Sequence, residues 1–146
     1  MNAETAEVRK IPIVDGVFTW PSDDPKLIAS RCKICNTVIF PKSPVCRNPN
    51  CKDKMNVEEI LLSRRGKLLT FTLVYYPPPP PYVVPDPFVP YAIGEVAFQE
   101  GIAVLGQMTE YKYEDLKIGM EVEMVLDKIF DNADGNEVIT WKFRPV

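Results

Sequence analysis

Four cysteines fall within a span of twenty positions, at Cys32, Cys35, Cys46 and Cys51. Cys32-Lys33-Ile34-Cys35 is a Cys-x-x-Cys knuckle, and Cys46 and Cys51 form a wider second knuckle with four residues between them. Two short knuckles brought together by a hairpin supply four soft ligands in a tetrahedron, the arrangement that Zn2+ requires. The competing chemistries are two disulfides or a redox pair. A redox Cys-x-x-Cys belongs in a βαβ context, and none surrounds these residues. A site made only of thiolates leaves no open coordination position for water, so the predicted role is structural and not catalytic.

The chain around the cysteines explains the need for a metal. A sub-domain of about 40 residues seldom stabilises itself without metal or disulfides. The whole chain has 146 residues, of which 46% are hydrophobic and 25% charged, a globular composition. Net charge is -3 and histidine is absent. Lack of histidine excludes Ser-His-Asp and Cys-His nucleophilic sites, histidine metal ligands and histidine proton shuttles. No stretch reaches the roughly 18 apolar residues of a membrane span, and Met1 to Val14 lacks the apolar run of a signal peptide. The expectation is a soluble cytoplasmic protein with no membrane partner, a compartment in which clustered cysteines favour metal.

The elements that must position the cysteines are predominantly β. Residues 1–19 read as an extended N-terminal arm, broken by Pro12 and Gly16. Residues 20–61 read as a short helix plus the ribbon: Ser22 or Asp23 caps, Pro25 suits the first turn, and Leu27, Ile28 and Ala29 follow. Thr37 to Phe40 and Val57 to Leu61 are strand candidates within the ribbon. Residues 62–146 carry about five strand patterns: Lys67 to Tyr76, Tyr91 to Phe98, Ile102 to Met108, Glu121 to Asp127 and Val138 to Phe143. Gln99-Glu100-Gly101 joins two of them as a hairpin. Five strands with one long loop suit an OB-fold barrel, with a small sandwich as the competing architecture.

Two further features are candidates for binding. Arg64-Arg65-Gly66-Lys67 is the densest basic run, either a phosphate anchor or a solvated turn before a strand. Residues 77–90 contain Pro77 to Pro81, Pro85, Pro87 and Pro90, which removes them from any central ladder and favours a polyproline II rod. Tyr75, Tyr76, Tyr82, Phe88 and Tyr91 surround that rod. It is read as a partner-docking rod or a lid over a ligand groove, against a plain rigid connector. The acidic side chains form no recognisable catalytic set, and no phosphate loop, dinucleotide fingerprint or nucleophile elbow is present.

In order and spacing these pieces resemble one known family. They are Arg31-Cys32-Lys33-Ile34-Cys35, Ile39-Phe40-Pro41 ahead of Cys46 and Cys51, and Gly66 to Thr72 leading into Tyr75. Pro90-Tyr91-Ala92-Ile93-Gly94, Leu116 to Val122 and Lys142-Phe143-Arg144-Pro145 complete the set. Over roughly residues 20–146 the chain resembles the acyl-CoA-associated zinc-ribbon/OB-fold family, formerly domain of unknown function thirty-five. The resemblance implies a helical segment, a rubredoxin-like ribbon and a C-terminal OB-fold. It also implies a non-catalytic accessory or scaffold role in lipid metabolism, beside thiolase-type or hydroxymethylglutaryl-CoA synthase-type enzymes. An acyl-CoA thioester carries phosphates and an apolar tail. Arg64, Arg65 and Lys67 would meet the phosphates, and Tyr75, Tyr82, Phe88 and Tyr91 would shelter the pantetheine or acyl portion. The short segment before the ribbon and the wide Cys46–Cys51 gap depart from the family pattern. The alternative function is a single-stranded nucleic-acid binder, since ribbons and OB-folds also serve that role. The acidic balance weighs against it.

Overall fold

A computed structural model of the chain describes residues 9–80 and 87–146. The ribbon is a three-stranded sheet in the order β3-β2-β4, with β2 at Ile28–Cys32, β3 at Val38–Ile39 and β4 at Val57–Leu61. The barrel uses β5 at Arg65–Val74, β6 at Tyr91–Phe98, β7 at Ile102–Met108, β8 at Glu121–Asp131 and β9 at Glu137–Pro145. Its strands run β9-β7-β6-β5-β8, and β8 pairs back onto β9 to close the ring. Closure, with a parallel β7–β9 pair at Gln107↔Lys142 and Met108↔Phe143, makes this an OB-type barrel and removes the sandwich alternative. The N-terminal strand β1, Lys10–Pro12, lies parallel to the start of β9. Among the described residues no helix is long and apolar enough to cross a membrane.

The helix expected after Trp20 is not formed. Residues 20–26 are bends and coil, and Ile28 onward is the central strand of the ribbon. The reason lies in burial. Leu27 and Ala29 are fully buried, while Ile28 between them is only partly buried. Their spacing of two is a strand period, and pairing of Ile28–Cys32 with Leu61–Val57 satisfies the backbone on one edge. The capping residues favour a helix only weakly, and a central place in a sheet overrides that preference.

The base of the ribbon and the barrel share one core. Leu27 and Ala29 from the ribbon pack in the same cluster as Leu62, Leu68, Val96, Met124 and Phe143 of the barrel. Val17 and Phe18 of the N-terminal arm are also buried there. Phe40 meets Trp141 edge-on with ring centroids 5.5 Å apart, which ties β3 to β9. The connection at residue 63 is pinned by polar contacts. Ser63 donates its N–H to Glu100 Oε1 at 3.0 Å and its hydroxyl to Oε2 at 2.8 Å.

One irregularity in β5 changes which side chains face inward. A bulge between Leu68 and Thr70 shifts the register, so Leu68 and then Phe71 and Leu73 all turn toward the core. Leu69, the extra residue, is 46% exposed. Gly66 lies just before this point. A Cβ there would sit 2.6 Å from the Ala97 carbonyl oxygen and 2.6 Å from Val96 Cγ1, so only glycine allows β5 to cross β6 so closely.

Two outcomes follow. Leu27→Ala, although a ribbon substitution, should destabilise the barrel by about 2–5 kcal/mol in denaturant unfolding followed at the tryptophans. A normal barrel transition in that variant would show that the core is not shared. Burial would raise the Glu100 carboxyl, but the hydrogen bonds from Ser63 outweigh it and hold the group below its ordinary 4.5. That contribution is present above pH 4.5 and is lost as pH falls through the lowered folded value. The stability gap between wild type and Glu100→Gln should therefore close in acid; a gap independent of pH would rule out this linkage.

Candidate metal centre and binding face

The cysteine sulfurs converge at the end of the ribbon away from the shared core. β2 ends at Cys32, and a turn carries Cys35 back beneath it. Asn36 at that turn has φ of 63°, the left-handed conformation that a short polar side chain tolerates. The second knuckle is held by Cys46 N–H donating to the Lys54 carbonyl at 2.8 Å and by Cys51 N–H donating to the Asn48 carbonyl at 3.1 Å. Sγ atoms of Cys32 and Cys51 are 3.7 Å apart, those of Cys35 and Cys46 are 3.5 Å apart, and all four lie within 4.8 Å of one another. Four sulfurs about 2.3 Å from a central Zn2+ in a tetrahedron are roughly 3.8 Å apart, so the cluster fits one ion. No pair is at disulfide distance, and all four cysteines are free.

The sulfurs by themselves are in electrostatic conflict. Hydrogen bonds from the Thr37 side chain and backbone lower the Cys35 thiol to about 6. Burial, with hydrogen bonding to Cys32 and Cys35, pushes Cys51 up to about 12. A set of four thiolates cannot form at neutral pH without a cation among them, and a bound dication resolves that conflict. Ile34 N–H also points at Cys32 Sγ, 3.4 Å away, as a second-sphere donor. Among the described residues, the partly buried hydrophobic residues packed against this cluster are Cys35 and Val57, so sulfur fills the place of a hydrocarbon core.

The residues expected to meet an acyl-CoA fall into two groups. Arg64 turns inward: its guanidinium donates to the Met124 carbonyl at 3.1 and 3.3 Å and pairs with Asp24 at 3.2 Å and Glu123 at 3.4 Å. It clamps the approach to the ribbon onto β8. Arg65 and Lys67 are exposed and line an open groove of about 470 Å3 with Gly66, Ala97, Phe98, Gln99 and Glu121. Arg65 has a loose pairing with Glu121 at 3.7 Å.

The aromatic group lies elsewhere. Tyr75 is 63% exposed beyond the end of β5, and Phe88 meets Tyr91 edge-on at 6.0 Å beside it. Tyr82 lies outside the described residues. At about 3.3 Å per residue, Lys67 and Tyr75 are separated by roughly 25 Å along β5. The structure thus does not gather the basic and aromatic residues into one pocket. It places them at opposite ends of one sheet face.

That face is the feature that sequence alone did not single out. Outward residues of β5, β6 and β7 line up in cross-strand register: Thr72 with Ile93 and Gln107, Thr70 with Glu95 and Leu105, Val74 with Tyr91. Arg65, Lys67 and Glu95 are the charged groups at outward positions of these three strands among the described residues, and Leu105 is 61% exposed. The alternation in β6 was a signal for it, since Ala92, Gly94, Val96 and Phe98 face in while the odd positions face out.

A cysteine-built ribbon continuous with a closed OB-type barrel defines a zinc-ribbon/OB-fold protein, and comparison with known proteins agrees. Residues 20–58 match the family described as the ChsH2 rubredoxin-like zinc ribbon domain, and residues 59–127 match the ChsH2 C-terminal OB-fold domain. The chain belongs to this family, whose relatives include proteins named DUF35 domain-containing scaffold protein. It is 40% identical over 125 residues to such a protein from Methanocaldococcus jannaschii, covering 82% of each chain. It is 31% identical over 129 residues to benzoylsuccinyl-CoA thiolase subunit BbsA of Thauera aromatica, covering 84% of this chain and 78% of that one. A solved structure titled Ltp2-ChsH2(DUF35) aldolase shares the fold, with a TM-score of 0.60 and 23% identity over 82% of this chain and 84% of that one.

Removing one sulfur leaves three ligands and an exposed coordination position. Cys46→Ala should lower metal content, measured by elemental analysis of the purified protein, well below one equivalent. Full retention of metal in that variant would show that Cys46 is not a ligand.

Proposed function

We propose that this protein is a non-catalytic accessory subunit of a thiolase-type or hydroxymethylglutaryl-CoA synthase-type enzyme. Its Cys32, Cys35, Cys46 and Cys51 hold a structural Zn2+, and its barrel face contacts the acyl-CoA thioester. The observation that carries the reading is similarity along most of the chain to a protein named as a thiolase subunit, together with relatives named scaffold proteins.

The chemistry of the open barrel face supports the ligand. An extended acyl-CoA has its phosphates at one end and a neutral pantetheine and acyl chain at the other. The face has the same polarity. Arg65 and Lys67 stand at one end beside Phe98 and Gln99, and the uncharged side chains of Ile93, Leu105, Val74 and Tyr91 lead away toward Tyr75 and Phe88. OB-folds bind ligands on this face and with the loop that joins their first two strands, which here is the proline-aromatic segment between β5 and β6. Arg65 and Lys67 serve as the phosphate anchor, and Arg64 is a structural clamp.

The nucleic-acid reading is disfavoured by the same face. A single-stranded binder needs a cationic groove interleaved with aromatic platforms. Here the centre of the face holds the carboxylate Glu95, and its cations are confined to one end.

Titration calorimetry with acetyl-CoA, alone and with the partner thiolase, tests the ligand. Arg65→Ala with Lys67→Ala should weaken binding by about tenfold or more, as expected for lost charge-assisted phosphate contacts, without changing zinc content. Unchanged affinity in the double variant would remove the phosphate assignment, and no heat in either setting would remove the ligand. A colourless preparation with one equivalent of zinc is expected; a coloured iron centre would overturn the metal assignment.

A further inference from the structure

The metal end of the ribbon differs in charge from the rest of the molecule. Between Arg31 and Lys54 there are six cations and one carboxylate, Asp53. From residue 62 onward the balance reverses, with eight cations against twelve carboxylates. Three of the six ribbon cations are engaged internally: Arg31 pairs with Glu58 at 3.0 Å, Lys42 with Glu59 at 2.7 Å, and Lys54 Nζ donates to the Asn48 carbonyl at 2.9 Å. Lys33, Arg47 and Lys52 are exposed and form no salt bridge among the described residues.

Exposed apolar side chains stand among these three cations. Met55 is 71% exposed, Ile34 53% and Val45 38%. Backbone hydrogen bonds join them into one surface. Lys33 N–H donates to the Asn56 carbonyl and Cys46 N–H to the Lys54 carbonyl, both at 2.8 Å, so Met55 is bracketed by the two knuckles. Lys33 and Ile34 lie between two metal-site cysteines, Val45 and Arg47 flank Cys46, and Lys52 follows Cys51. Every member of the patch is within a few residues of a sulfur held in the cluster, so its geometry is set before any partner arrives.

We propose that this outer end of the ribbon is a protein-docking face, and that its occupant is an acid-rimmed apolar surface on the thiolase-type enzyme. The inference rests on the accessory role above and adds which surface docks. Three arguments carry it. An apolar centre ringed by charge is the anatomy of a protein interface, and methionine adapts to an uneven partner. A pre-organised patch loses little conformational entropy on binding. The acidic barrel repels an acidic partner while the basic ribbon end attracts it, so encounters are oriented with the ribbon foremost. Nucleic acid fits less well, because Phe40 is the only aromatic side chain from Arg31 to Val57 and it is turned onto Trp141.

The test uses the full chain and the purified thiolase-type enzymes of the same genome, with association and dissociation read by surface plasmon resonance. Lys33→Glu/Arg47→Glu/Lys52→Glu should slow association by about tenfold and flatten its salt dependence, as steering charges do. Met55→Asp should speed dissociation. Metal content and tryptophan fluorescence of both variants should match wild type, which excludes misfolding as the cause. A wild-type complex whose rates both variants leave unchanged would overturn the docking face and leave the accessory role standing. No complex with any of these enzymes would overturn the accessory role itself. Binding of a labelled oligonucleotide that the triple variant abolishes would assign the face to nucleic acid and overturn the proposal.

Discussion

The distal half of the ribbon has four sulfurs where a domain of ordinary size has hydrocarbon. Cys32, Cys46 and Cys51 are buried against one another, with Cys35 and Val57 packed beside them, and among the described residues no larger apolar side chain joins that cluster. Such an assembly has little hydrophobic stabilisation of its own. Its loops take a defined course because the sulfurs must meet. Everything displayed at that end, including the exposed Ile34, Val45 and Met55, inherits its position from the cluster.

The proximal half obeys a different constraint. Leu27 and Ala29 sit in the barrel's core, Phe40 rests against Trp141, and Arg64 joins Asp24 to β8. Dispersion and burial hold this junction, aided by the hydrogen bonds of Ser63 to Glu100. The ribbon is therefore not a bead on a string. It is an extension of the barrel whose far end is closed by sulfur chemistry. A junction of this kind holds the barrel face and the ribbon surface in a fixed relation.

Much of the β pattern was legible from residue order. Tyr91–Phe98 and Ile102–Met108 are bounded as the alternation and the Gln99-Glu100-Gly101 turn indicated, and β4 spans the expected Val57–Leu61. The cluster of cysteines was legible because ligand spacing in short knuckles is a local property. Two local readings went astray for a common reason. Leu27 to Ala29 looks helical after Pro25, but its burial is decided by strands at Val38 and Val57, which lie far along the chain. Arg64 looks like part of a basic run, but its partners Asp24 and Met124 lie 40 and 60 positions away.

Residue types and their spacing thus determined the β class, the five strands of the barrel, the metal-capable cysteines and the family likeness, because all of these rest on short-range periodicity and composition. The tertiary structure alone decided which cations remain free, on which face the aromatic and basic groups stand, and how far apart they are. It also decided the bulge after Leu68, which reverses the parity of β5 and so selects the inward side chains. The physical reason is the same in each case. Side-chain orientation and ion pairing depend on neighbours brought together by strand pairing across the closed barrel, and those contacts have no imprint in local sequence order.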